Sequence, residues 1–327
     1  MTGLPALTVV PMLAALYMPF CVKVIDPAAP PSHDDLRSLW EAPVGPAERD
    51  LFFGPWGPER APDPLETYTL VERKHSGVNP GMTVRDSLGR VWSVKQAPPV
   101  GQPSEGPIEV VMSRVLSAIG YHQPPVYFLP AFTLVDDWGS RIESGGRFRL
   151  KDKSLRDRGS WSWQRSPFVG TKPYQGLLVV LMLFNSSDLK NSNNTRYAYR
   201  TGDRVETWYV VRDLGTALGT TGRLAPRRGD AAAFAREPFI TGLAGGFVEF
   251  GYRGWHQELV RGRITAADVQ WAGRLLAGLT DQQWNEAFRA GGFTPGDAAP
   301  FIDAIKARIR HASIVGGQYL PAGSEGR

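Results

Sequence analysis

The sequence predicts an α+β chain of two lobes, with a β-rich N-lobe and a mainly helical C-lobe. Three observations carry this. Residues 67–96 alternate apolar and polar side chains in three short runs broken by turn residues, the period of half-buried strands. Residues 176–184 are apolar almost without a break, which reads as a buried core helix too short to span a membrane. From Thr265 onward, amphipathic segments repeat at helical spacing.

Taken in order, the strands are Thr67–Lys74, Met82–Asp86 and Arg90–Gln96, a three-stranded antiparallel meander. The first connection, His75-Ser76-Gly77-Val78-Asn79-Pro80-Gly81, is rich in turn formers, and Ser87-Leu88-Gly89 makes the second. A helix follows, with start signals at Ser104 and Pro107 and a stop at Gly120. Its apolar face is Ile108, Val111, Met112, Val115, Leu116 and Ile119, with Glu109 at the edge. After Pro124-Pro125, short strands are expected at 126–129 and 147–150. The buried helix starting near Lys172 ends in a polar loop over 185–194, and a hairpin turns at Thr201-Gly202-Asp203. Its second strand, 207–211, leads directly into Arg212-Asp213-Leu214-Gly215. Helices are expected at 266–277, 281–290 and 298–312, with Thr265 and Thr280 as N-caps and Gly291-Gly292 as a stop.

This order divides the chain into an apolar signal-like or anchor segment (1–26), a Pro- and charge-rich linker or arm (27–64), an N-lobe (65–160) and a C-lobe (161–327). The uncharged run from Leu4 to Val22 favours export or anchoring over a cytoplasmic location. Membrane contact is expected only through that segment. The patch Leu51-Phe52-Phe53-Gly54-Pro55-Trp56 within the arm should dock on the body, since exposing it is costly.

Composition narrows the chemistry. The single cysteine, Cys21, rules out a disulfide framework and a cysteine-rich zinc site. The five histidines are scattered, without metal-type spacing. The net charge of +5 is spread without a basic run, so no nucleic-acid partner is expected. At 42% hydrophobic and 21% charged, the chain can bury a core.

Phosphoryl transfer from ATP needs a lysine on the phosphates, a glutamate to hold it, a carboxylate to orient the hydroxyl, and oxygen ligands for Mg2+. Each stands here in chain order. Lys95 closes a strand, and Glu109 lies 14 residues on, with Glu105 as a competing partner. Asp188-Leu189-Lys190-Asn191-Ser192-Asn193 follows the buried helix, placing Asp188 and Asn193 five residues apart on one turn. Asp213-Leu214-Gly215 ends the hairpin.

The loop from Asp188 to Asn193 resembles a protein-kinase catalytic loop, and Asp213-Leu214-Gly215 resembles the metal-binding D-F-G element with Leu in place of Phe. The resemblance covers roughly residues 67–220 and implies a bilobal protein-kinase-like fold. Within that superfamily the N-lobe is most similar to the HipA-type serine/threonine kinases. Ser76-Gly77-Val78-Asn79-Pro80-Gly81 resembles their short phosphate loop, though it lacks the lysine. The Glu109 helix, followed by Ala118-Ile119-Gly120-Tyr121 and Pro124-Pro125, resembles their helix pattern.

The resemblance implies an ATP- and Mg2+-dependent kinase acting on a protein Ser or Thr hydroxyl. Asp188 would be the catalytic carboxylate and Lys190 would steady the transferred phosphate. Lys95 and Glu109, with Ser76, Gly77 and Gly81 of the loop, would bind nucleotide. Asn193 and Asp213 would hold the metal. Three departures keep other acceptors (a small molecule, or AMP transfer) and a non-catalytic binding module open. Ser186-Ser187 replaces His-Arg before the catalytic Asp, the stretch from Asn193 to Asp213 is long, and no activation segment with an A-P-E-like end follows Gly215.

Overall fold

A computed structural model describes residues 23–74, 80–97, 105–222 and 227–316. Most of the apolar N-terminal segment lies outside them, as do Ser76 and Gly77 of the expected phosphate loop. The chain is a mixed α+β protein.

The arm begins with one helical turn, α1 (His33–Arg37), closed by a capping box from Ser32 and Asp35. It lies along the body: Leu39 and Leu51 are fully buried, the Trp40 indole donates to Ile119 O at 2.7 Å, and Arg49 reaches Ser117 O at 2.9 Å. The docking expected for the 51–56 patch is present in Leu51 and Trp56, both buried.

Strands β1 (Thr67–Lys74), β2 (Gly81–Arg85) and β3 (Val91–Gln96) form the expected meander. Helix α2 (Glu105–Ala118) follows, then β4 (Val126–Asp136) and β5 (Gly139–Leu150). The meander is part of a closed barrel of order β1-β2-β3-β5-β4, sealed by a parallel pairing of Thr67–Thr69 with Thr133–Val135. Alternation builds its core. Trp92 and Val94 of β3 and Phe148 of β5 point inward with Tyr68, Val84, Phe132 and Leu134, so Ser93, Lys95, Arg147 and Arg149 are on the other face.

Strand β6 (Leu155–Asp157) opens a second sheet. Helix α3 (Lys172–Leu183) is the apolar run expected from the sequence, N-capped by Thr171 and buried along its length after Lys172. Strands β7 (Asn194–Thr201) and β8 (Arg204–Val211) complete the sheet in the order β6-β7-β8, and Leu155, Tyr197 and Val210 join the barrel's apolar cluster.

The remainder is α4 (Ala231–Arg236), a hairpin of β9 (Ile240–Ala244) and β10 (Phe247–Phe250), then α5 (Ala266–Ala277), α6 (Asp281–Ala290) and α7 (Pro295–Ile314). Thr265 and Thr280 form the capping boxes of α5 and α6. Helix α7 begins three residues earlier than 298, because Thr294 caps it and Pro295 is suited to the first turn. The β9–β10 hairpin was not anticipated. Its turn, Gly245-Gly246, takes positive φ at both residues. Helices α3, α5, α6 and α7 form the larger core with the inner face of α2. Helix α2 therefore belongs to both halves, carrying carboxylates toward the barrel and apolar side chains toward the helices. Among the described residues, no helix is long and apolar enough to cross a membrane.

Candidate active site

Lys95 ends β3 on the face opposite the barrel core. Its ammonium lies 2.6 Å from Glu105 Oε2, 3.8 Å from Glu109 Oε2 and 4.0 Å from Asp213 Oδ1. Glu105 and Glu109 stand one helical turn apart on α2, so both face Lys95. The nearer glutamate is Glu105, which also accepts from Arg228. Glu109 Oε1 instead lies 3.1 Å from Arg147 Nε, out of line for a hydrogen bond. The pairing has a structural origin: β3 and β5 align Lys95 opposite Arg147, so two cations share two carboxylates.

Asp213 takes a left-handed conformation, φ 54° and ψ 43°, ahead of a one-turn 3-10 helix over Leu214–Thr216. Asn and Asp tolerate that region best among non-glycine residues. The next two residues anchor it. Leu214 is buried, and a Cβ on Gly215 would sit 2.4 Å from Glu105 Cβ and 2.6 Å from Glu105 O. Only a glycine lets this segment lie directly against α2. Burial by itself would raise the Asp213 carboxyl, but Lys95, Arg149, Arg147 and Arg212 outweigh it and hold the group below the usual carboxylate range. Asp213 is thus held as an anion by the cations around it.

The polar loop is tied to the same place. Asn193 Nδ2 donates to Asp188 O at 3.0 Å, and the Arg212 N–H donates to Asn193 O at 2.9 Å. The second bond joins the loop to the residue before Asp213. Lys190 Nζ lies 3.0 Å from Asp188 Oδ1 and over the Trp255 ring, 5.7 Å from its centre. Leu189 is buried and acts as the loop's apolar anchor. The Trp255 N–H donates to Ser187 O at 3.1 Å, bracing the chain just before Asp188.

Because Asn193 spends its amide N–H on Asp188, its side-chain oxygen is the atom left to face a cation. One carboxylate and one amide oxygen suit Mg2+, which keeps waters and takes the rest of its shell from phosphates. No group of three His, Cys, Asp or Glu side chains that could hold a metal occurs among the described residues.

No protein-family model matches the chain, and no curated protein matches it. Several solved structures overlap it, among them these two. One is the Helicobacter pylori proinflammatory kinase CtkA, 12% identical, covering 76% of this chain and 98% of that one, with a TM-score of 0.43. The other is the Rio2 kinase of Chaetomium thermophilum in an ADP/Mg2+-phosphoaspartate complex, 12% identical, covering 74% and 72%, with a TM-score of 0.28. Both are kinases. At TM-scores this low neither overlap decides a fold, and the functional reading rests on the side-chain geometry.

That geometry brings Lys95, Glu105, Glu109 and Asp213 together directly, and Asp188, Lys190 and Asn193 through the loop. Gly81 opens β2 opposite Lys95. Ser76 and Gly77 lie outside the described residues. Two buried arginines were not read from the sequence. Arg147 is the partner of Glu109. Arg308 on α7 donates to Leu183 O, Asn185 Oδ1, Phe234 O and Glu237 O at 2.7–2.8 Å. With no carboxylate in that set, burial pulls its pKa down to about 10. Arg308 thereby holds the start of the polar loop.

Proposed function

We propose that this chain is an ATP- and Mg2+-dependent phosphotransferase of the protein-kinase-like type, acting on a hydroxyl acceptor. One observation carries the reading. A strand-end lysine sits within 4.0 Å of three carboxylates, one of which, Asp213, is linked through Arg212 to the loop that bears Asp188 and Asn193. The proposal includes a bilobal arrangement, with lobes at 65–160 and 161–327, and an exported or anchored location through the N-terminal segment.

Lys95 holds the α- and β-phosphates and is itself held by Glu105, with Glu109 behind. Asn193 and Asp213 would hold Mg2+, which would neutralise phosphate charge. Lys190 steadies the γ-phosphate. Asp188 orients the acceptor hydroxyl and takes its proton as the hydroxyl oxygen bonds to the γ-phosphorus. The bond from that phosphorus to the β–γ bridging oxygen breaks, and ADP leaves with the electron pair. Placing both partners this way converts a bimolecular step into a near-unimolecular one.

The test uses ATP labelled at the γ- or the α-phosphate. Label transferred or released only from the γ-position, and abolished in Asp188→Ala while nucleotide binding persists, is the expected result. Transfer of the α-label would make the chain an AMP transferase. Full activity in Asp188→Ala would sink the role given to that residue.

A further inference from the structure

The barrel face that carries Lys95 holds more positive charge than one nucleotide site uses. Strand pairing sets Lys74, Gly81, Lys95 and Arg147 in one row across β1, β2, β3 and β5. Glu72, Thr83, Ser93 and Arg149 form the next row on the same face, with the Glu72 carboxylate at its β1 end. At about 4.8 Å per strand, the first row runs about 14 Å, longer than a single phosphate needs. Lys95 and Arg147 have carboxylate partners in Glu105 and Glu109. Lys74, Arg149 and Lys151 make no close ion pair among the described residues, although Asp213 attracts Lys74 and Glu109 attracts Arg149 at longer range.

The unpaired cations lean on hydroxyls instead. Lys74 Nζ donates to Ser93 Oγ at 3.0 Å, and Lys151 Nζ to Thr83 Oγ1 at 3.3 Å. Gly81 makes the first contact possible. A Cβ there would lie 3.2 Å from Lys74 Cδ and from Val94 O, so its absence lets the lysine stem cross β2. Burial, then Arg149, Arg147 and Lys151, push the Lys74 ammonium down against an opposing pull from Asp213. Such a cluster repels itself until an anion enters. Arg149 adds a planar fork suited to phosphate oxygens. The polar and cationic side chains of these two rows offer a nucleobase no apolar slot.

We propose that Lys74, Arg149 and Lys151 form a second phosphate subsite, beside the position marked by Lys95 and Asp213, which holds a phosphate group carried by the acceptor. The acceptor class is then a small phosphate ester with a free hydroxyl. The acceptor half of this inference rests on the phosphotransferase reading, whereas the anion site does not.

The test is calorimetric titration of inorganic pyrophosphate into the full chain, without nucleotide or metal. Lys74 and Lys151 are exposed, so the double variant Lys74→Ala/Lys151→Ala keeps its fold, and it is expected to bind pyrophosphate at least tenfold more weakly. Asp213→Ala is expected to keep that binding while losing Mg2+-dependent ATP binding. Saturating Mg-ADP is expected to leave pyrophosphate bound. Equal binding by wild type and the double variant, or none by wild type at millimolar pyrophosphate, overturns the subsite. Displacement by Mg-ADP assigns the row to the nucleotide and overturns the acceptor role. If Mg-ATP does not bind yet pyrophosphate behaves as expected, the phosphotransferase reading falls and the anion site stands.

Discussion

Gly215→Ala tests how Asp213, the proposed metal ligand, is positioned. A methyl group at Gly215 would start 2.4 Å from Glu105 Cβ and 2.6 Å from Glu105 O. Ordinary contact begins near 3.4 Å, so the segment and α2 must part by about 1 Å. Neither side yields easily. The Glu105 atoms belong to the helix and the base of its side chain, and Leu214 is held in the core at 2% exposure. Overpacking of this kind costs roughly 1–3 kcal/mol. A Gly→Ala change at a tolerant position would instead stabilise by about 0.4–1 kcal/mol through the unfolded chain, so the sign alone separates a tight contact from a loose one. Asp213 must move with the segment, away from Lys95, and an error of about 1 Å can cost on the order of 100-fold in rate. Denaturant unfolding and γ-phosphate transfer read the two effects. A variant as stable as wild type or more so, with unchanged transfer, would refute the view that Gly215 seats Asp213 against α2.

Other perturbations separate roles that look alike. Glu109→Ala leaves Arg147, 3% exposed, without its carboxylate and should cost about 3–5 kcal/mol in denaturant unfolding; Glu105→Ala should cost less stability, since Lys95 keeps Glu109 and Asp213, but should weaken nucleotide binding more. Arg308→Met strands four acceptors that each cost about 1–3 kcal/mol when unsatisfied, so it should lower the melting temperature sharply and loosen the loop before Asp188, with Arg308→Lys intermediate. His122 stacks on Trp208 at 4.4 Å and lies 2.7 Å from Arg37 O. Burial lowers its pKa, against smaller opposing effects of the Arg37 carbonyl, Glu41 and Glu206. Its folded pKa is below the unfolded value of about 6.5, so the stability it contributes is present above that pH and is lost as pH falls through the folded pKa. Melting curves from about pH 8 to pH 5 should fall more steeply for wild type than for His122→Gln.

Legibility in the sequence followed the range of the interactions involved. The meander, the buried α3 and the caps of α5 and α6 were readable because alternation, helical period and Thr caps are local signals. Asp188 to Asn193 and Asp213-Leu214-Gly215 stood out as short contiguous motifs, and the roles given to them come from the resemblance. Barrel closure was not, since it depends on a parallel pairing of Thr67–Thr69 with Thr133–Val135, more than 60 residues apart. Only the ends of the long β4–β5 hairpin were read: the first half of β5 is largely exposed and shows no apolar face, although Phe132 and Leu134 on β4 alternate into the barrel core. Which glutamate stands nearest Lys95 depends on the register that sets Arg147 beside it, and register is a tertiary fact. Arg308 looked like one more polar residue on an amphipathic helix, and four carbonyl-type acceptors converging on it leave no local trace. The β9–β10 hairpin could have been found: Gly245-Gly246 between two apolar runs is a two-residue turn signal.

The central claim is that Lys95, Asn193 and Asp213 form one nucleotide–metal site. Its most direct test is a thermal-shift titration of residues 27–327 with ATP, with and without Mg2+. A ligand that binds only the folded chain raises the midpoint as RT ln(1 + [L]/Kd), about 2.7 kcal/mol at a hundredfold excess over Kd. The account predicts a rise that requires Mg2+ and disappears in Asp213→Ala. No rise at millimolar ATP, or an equal rise in Asp213→Ala, would contradict it.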